Sequence, residues 1–154
     1  KIVQMGKTII VSNRLPIRIT KVENSFEFTP TSGGLATGLH SVHKNKNSLW
    51  VGWPGIGSDT LDESEWEPLK DSLTENNYCP VSLSTEEIDD FYYGLPNKCL
   101  WPLFHYFIEF SIFNKAHWDS YVEVNEKFSK AVIDRIEPGD TVWIQDYGHP
   151  THTY

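Results

Sequence analysis

The chain has 154 residues, 39% of them apolar, with 13 Lys and Arg against 21 Asp and Glu and a net charge of −8. That length and composition fit one globular domain large enough for a real core. The acidic balance supplies no general field for nucleic acid or an anionic membrane, so any anion it binds must meet a local basic group.

Residues 7–11 (Lys-Thr-Ile-Ile-Val) form a short β-branched run, the pattern of a buried strand. A polar turn, Ser12-Asn13-Arg14-Leu15-Pro16, stops it. Residues 17–21 and 25–29 flank Val22-Glu23-Asn24 and predict a β-hairpin. Ser32-Gly33-Gly34 then opens a helix with apolar residues at Leu35, Ala36, Leu39 and Val42. A strand is predicted over 49–52, a loop over 53–57, a helix over 65–73 and a strand over 78–83. Ser84 with Glu87 matches a capping box and starts a helix to about Tyr93, which Leu95-Pro96-Asn97 should break. Residues 100–107 read as a short helical piece. Asn114 caps a long helix whose apolar face is Trp118, Tyr121, Val122, Phe128 and Val132, interrupted by Asn125. Pro138-Gly139-Asp140 ends it, and 141–144 is the last strand. Strands alternating with helices predict an α/β, Rossmann-like layered fold with a mostly parallel sheet.

In such a sheet ligands sit beyond the carboxyl ends of the strands. Arg14, Trp53 and Asp146 are the residues expected there. The Arg14 guanidinium suits bidentate capture of a phosphate, or else a surface ion pair. Gly33-Gly34 at a helix start lets backbone N–H groups face an anion, or simply makes a tight turn. Trp53, Tyr92 and Trp101 suit the walls of a sugar-phosphate pocket, with N–H and O–H groups to donate to phosphate oxygens, or else fill the core. Trp50 and Trp143 lie within strand runs and are expected in the core. Asp146 suits hydrogen bonds to sugar hydroxyls or work as a base, or else a helix cap. His105 reads as a satisfied core histidine. His149 and His152 lack the further ligands a metal needs. No P-loop, no G-x-G-x-x-G and no Gly-x-Ser-x-Gly occurs, and nothing reads as a covalent nucleophile. Cys79 and Cys99 are too few for a disulfide framework, no N-x-Ser/Thr sequon occurs, and no secretory signal pattern opens these residues. The uncharged stretch 99–108 is too short to span a bilayer. A cytoplasmic setting is expected.

In order, six blocks resemble one family. They are Val11-Ser12-Asn13-Arg14-Leu15-Pro16, Ser32-Gly33-Gly34-Leu35, Trp50-Val51-Gly52-Trp53-Pro54-Gly55, Tyr92-Tyr93, Leu100-Trp101-Pro102-Leu103-Phe104-His105-Tyr106 and Val142-Trp143-Ile144-Gln145-Asp146-Tyr147. Together they cover about residues 8–147 and resemble the amino-terminal part of the trehalose-6-phosphate synthases, glycosyltransferase family 20. The resemblance implies a two-domain GT-B fold, of which residues 1–154 are a partial amino-terminal, acceptor-side domain. It implies retaining transfer of glucose from UDP-glucose to glucose 6-phosphate, giving α,α-trehalose 6-phosphate and UDP, with no cofactor and no bound metal. It places Arg14 on the acceptor phosphate, Tyr92 and Trp101 beside it, Trp53 along the acceptor site, Asp146 on acceptor hydroxyls, and Gly33 and Gly34 by the donor pyrophosphate. In the family the departing UDP phosphate helps to take the acceptor proton during a front-face displacement.

Two departures set expectations. The family's second domain, which carries the basic residues on the pyrophosphate, lies outside these residues, so the 154 residues alone are expected not to turn over. The family's Asp-Tyr-His-Leu is here Asp146-Tyr147-Gly148-His149-Pro150. The partners expected are small molecules, with a homo-oligomer allowed through an open sheet edge. The alternative reading is a non-catalytic, glucose 6-phosphate-binding regulatory module related to the synthase.

Overall fold

The computed structural model describes residues 6–22, 25–31, 38–39, 42–43 and 47–145. The predicted Ser32-Gly33-Gly34 turn, the hairpin residues Glu23 and Asn24, and everything from Asp146 onward lie outside the described residues.

Four strands form one wholly parallel sheet in the order β5-β4-β1-β6. They are β1 (Thr8–Arg14), β4 (Ser48–Trp53), β5 (Tyr78–Pro80) and β6 (Thr141–Ile144). The hairpin stands apart as β2 (Ile17–Val22) and β3 (Ser25–Pro30), paired antiparallel from Ile17↔Pro30 to Val22↔Ser25. β1 is central, with β4 and β6 on its flanks, so it is buried on both faces. This explains its unbroken Ile9-Ile10-Val11 run: a strand covered on both sides needs apolar residues at every position.

Successive residues then serve different layers. Ile9, Val11, Val51 and Trp53 join a cluster with Val81, Phe91, Leu95, Tyr121, Val124, Phe128 and Val132. Ile10 and Trp50 point to the other face, with Leu15, Ile17, Leu39, Leu69 and Leu73. The first cluster is roofed by helical residues 85–104 and by α2 (Lys115–Ile133); the second by α1 (Glu63–Glu75) and the hairpin. Gly38, Leu39, Val42 and His43 are helical, in line with the predicted helix there.

The caps follow the local chemistry. The Asp62 carboxylate accepts from Glu65 N at 3.0 Å and the Glu65 side chain answers to Asp62 N at 3.2 Å. The predicted Ser84–Glu87 box forms in the same way, and Asn114 Oδ1 accepts from Ala116 N at 2.9 Å. The predicted break at Leu95-Pro96-Asn97 does not occur. The chain passes through wide π turns at Ile88–Gly94 and Pro96–Leu100 and then an α turn at Trp101–Phe104. A wide turn tolerates the missing N–H of Pro96, because one more residue per turn moves the carbonyl it would have met.

On α2 the buried face is Tyr121, Val124, Asn125, Phe128 and Val132, and Trp118 is left exposed. Asn125 is tolerated there because its Nδ2 donates to the Tyr121 carbonyl at 2.6 Å. Trp143, expected in the core, is 43% exposed among the described residues, where β6 is the last strand of the sheet. His105, also expected in the core, is exposed and sets Nδ1 2.8 Å from the Trp101 carbonyl. A run of apolar side chains from Phe104 to Phe113 is likewise exposed, Tyr106 the most at 94%. Both cysteines are buried and free. Among the described residues no helix is long and apolar enough to cross a membrane.

Burial pushes the Tyr121 phenol up to about 12, with the Asn125 side chain working against the rise. An unfolded tyrosine ionises near pH 10, so between about pH 10 and 12 the unfolded chain holds fewer protons than the folded one. Stability is then expected to fall with rising pH in that window, by about 2–3 kcal/mol in all. Urea midpoints from pH 8 to 12 should show this slope in the native protein and a shallower one in Tyr121→Phe. Equal slopes would show that another group titrates.

Candidate functional site

β1 and β4 end side by side at the carboxyl edge of the sheet. The pairing runs in register from Thr8↔Ser48 to Val11↔Val51, slips, and closes at Arg14↔Trp53. Strand β1 therefore continues through Ser12 and Asn13, beyond the predicted stop, and Arg14 is its last residue rather than a turn residue. The Leu15 N–H donates to the Trp53 carbonyl at 2.8 Å and seals the two ends together.

The Trp53 ring is the floor of the site. It is 6% exposed, and the Arg14 guanidinium carbon stands 5.5 Å from its centroid. A cation over an indole face is attracted by the ring quadrupole. The Trp53 N–H is not free for a phosphate, because Nε1 donates to the Ile56 carbonyl at 2.9 Å. That bond folds the Pro54-Gly55-Ile56 loop back over the ring. Gly55 has φ +92°, and a Cβ there would lie 2.7 Å from Arg14 Nη2. The positive φ calls for glycine, and a side chain there would also push the guanidinium from its present place.

Tyr92 is the next wall. Its ring lies 5.9 Å from that of Trp53 and 5.0 Å, edge-on, from Tyr93. The helical segment that carries it is stitched to the Trp53 loop. Asp59 Oδ1 accepts from Thr85 N at 2.8 Å and from Thr85 Oγ1 at 2.9 Å, and Ser58 N donates to the Leu83 carbonyl at 2.8 Å. The two Thr85 bonds hold the Asp59 carboxyl below the usual carboxylate range. Trp101 lies further along the same segment, 47% exposed, with its ring stacked on His105 at 4.2 Å. Arg14, Trp53 and Tyr92 are therefore in one contact chain, whereas the ring contact of Trp101 is with His105, outside that chain. Asp146, Gly33 and Gly34 lie outside the described residues. Among the described residues, no three His, Cys, Asp or Glu side chains gather so that they could hold a metal ion.

Two other concavities are electrostatically or topologically poor for a phosphate. One, of about 570 Å³, is walled by Glu86, Glu87, Asp90, Asp119 and Glu123, with Lys127 already on Glu87. A phosphate would meet like charge there. The other, of about 420 Å³, lies between Lys7, Asn47, Asn77 and Arg135, at the amino ends of the strands. Its Lys7 is paired with Asp140 at 2.7 Å. The Arg14 edge, by contrast, presents a cation at the end of the sheet where ligands bind.

Four residues that hold this site were not singled out from sequence: Ser12, Gly55, Asp59 and Thr85. The Gly55 signal lay in the Trp-Pro-Gly tripeptide. The others carry no local mark.

The family model for glycosyltransferase family 20 matches residues 6–149. The chain belongs to glycosyltransferase family 20. It is 42% identical over 150 residues to the bifunctional trehalose-6-phosphate synthase/phosphatase of Thermoproteus tenax, covering 92% of this chain and 20% of that protein. An α,α-trehalose-phosphate synthase (UDP-forming) from Burkholderia vietnamiensis has a similar structure, with a TM-score of 0.68 and 26% identity, covering 94% of this chain and 28% of that one. The enzyme of that name from Burkholderia xenovorans, solved in complex with glucose-6-phosphate, gives 0.65 and 25%, covering 93% and 28%. The chain thus spans about a fifth to under a third of the length of these family 20 relatives.

Proposed function

We propose that the full-length protein is a UDP-forming α,α-trehalose-phosphate synthase of the trehalose biosynthetic route. It transfers glucose from UDP-glucose to glucose 6-phosphate with retention at the anomeric carbon, giving α,α-trehalose 6-phosphate and UDP. These residues supply the acceptor side of a GT-B cleft. The observation that carries this reading is the Arg14 guanidinium held over the Trp53 ring at the carboxyl end of a parallel sheet.

In this reading Arg14 takes the acceptor phosphate as a fork of donors, a geometry that fixes orientation as well as charge. Trp53 is the rigid base beneath Arg14 along the acceptor site, and Tyr92 and Trp101 stand beside the phosphate, by likeness to the family. Asp146 orients acceptor hydroxyls, and Gly33 and Gly34 face the donor pyrophosphate, by likeness to the family. The contribution of these residues is position: a hydroxyl held in line beside the anomeric carbon reacts as within one molecule. The departing UDP phosphate helps to take the acceptor proton, and the protein carries no resident cofactor. Its setting is cytoplasmic, and its partners are the two small-molecule substrates.

The test is UDP release by the full-length protein from UDP-glucose, with and without glucose 6-phosphate, with the product's anomeric configuration read by NMR. Acceptor-dependent release of UDP with an α,α product is expected. Glucose 6-phosphate binding with no release would instead favour a sensing module.

A further inference from the structure

Arg14 leaves the sheet at an irregular strand end, where the regular ladder between β1 and β4 slips between Val11 and Arg14. A long side chain on a loosened backbone would sweep a wide arc. One buried side chain prevents this. Ser12 is fully buried, its Oγ donates to the Arg14 carbonyl at 2.7 Å, and it accepts from Trp50 Nε1 at 2.8 Å. The Trp50 ring is itself buried in the layer of Ile10, Leu69 and Leu73. We infer that Ser12 is a positioning residue for Arg14: the relay Trp50 Nε1–Ser12 Oγ–Arg14 carbonyl fixes the strand end that seats the guanidinium between the Trp53 ring and Gly55.

The chemistry of a hydroxyl is what the place demands. Trp50 offers only a donor, and the Arg14 carbonyl is only an acceptor. A group between them must accept on one side and donate on the other. Serine does both, whereas alanine would leave the buried Trp50 N–H unpaired and release the Arg14 carbonyl. The backbone around it is close-packed as well: a Cβ on Gly52 would lie 3.0 Å from the Ser12 carbonyl and 3.1 Å from Arg14 C. The relay acts on the backbone of Arg14, while Trp53 and Gly55 act on its side chain. Together they remove rotamer freedom that phosphate binding would otherwise have to remove.

The inference rests on the proposal that Arg14 binds the acceptor phosphate, so the experiment reads the two separately. In the full-length protein the Arg14 Nε–H signal, assigned by its loss in Arg14→Lys, reports the ring-current shift from Trp53. Glucose 6-phosphate and inorganic phosphate are titrated alongside. Ser12→Ala is expected to move the Arg14 signal toward the value of a free arginine and to weaken both ligands about tenfold. Binding of unphosphorylated glucose should be unchanged. An unmoved signal and unchanged affinities would overturn the positioning role. If Ser12→Ala does not fold, Trp50→Phe, which removes the far end of the relay, is read by the same two criteria. Failure of both to fold would assign Ser12 to folding alone and overturn the inference. If Arg14→Ala binds glucose 6-phosphate as tightly as the native protein, the phosphate role of Arg14 is lost, and the Nε–H signal still decides for Ser12.

Discussion

Replacing Arg14 with alanine is expected to weaken glucose 6-phosphate binding about a hundredfold. The binding of glucose itself should hardly change. A charged hydrogen bond is worth about 1.5–3 kcal/mol, and a forked pair reaches the upper end. The indole beneath Arg14 keeps the guanidinium in place before the ligand arrives, so little of that energy is spent on ordering. Arg14→Lys keeps the charge but loses the fork, and should fall between the native protein and the alanine variant. Arg14 is exposed, so native affinity should also decline with added salt, and the alanine variant should lose much of that dependence. Calorimetric titration of both sugars at two salt concentrations checks all of this. Equal losses for glucose and glucose 6-phosphate would mean that Arg14 shapes the pocket and does not hold the phosphate.

The second large effect is expected at Gly52. Its neighbours are backbone: a Cβ would meet Leu15 N at 2.9 Å, the Ser12 carbonyl at 3.0 Å and Arg14 C at 3.1 Å. None of these is a flexible side-chain tip that can step aside. The crowding can be relieved only by separating β1 from β4 where they close on Arg14 and Trp53. Gly52→Ala should therefore cost about 2–3 kcal/mol and lower the melting temperature by about 5–10 °C. It should also weaken phosphate binding, because the separated strand end carries Arg14 away from the Trp53 ring. Urea unfolding and the glucose 6-phosphate titration measure the two consequences. Stability within about 0.5 kcal/mol of the native protein would show that the strand ends have slack the packing does not suggest.

Much of the fold rests on rules that act within a few residues. The Ile9-Ile10-Val11 run prefers an extended backbone and needs cover on both faces, wherever its neighbours come from. Ser84 and Glu87 satisfy each other's backbone donors across three residues, and Asn114 caps its helix across two. The hairpin register follows from its short connection. That Arg14 comes shortly after an apolar run, and so its candidacy for an anion, was legible for the same reason.

The sequence by itself therefore determined the alternation of strands and helices, the Ser84 and Asn114 caps, the parallel sheet and the family to which the six blocks point. What lies opposite a residue was decided only in three dimensions. Nothing local distinguishes Ser12 from a solvated turn serine until Trp50, 38 positions away, delivers its indole N–H. Trp53 reads alike as pocket wall or core, and becomes the floor beneath Arg14 because β4 lies beside β1. Pro96 reads as a helix breaker, and the wide turns absorb it. In each case the energy belongs to a contact between distant segments, and a side chain's own chemistry limits its partners without choosing among them.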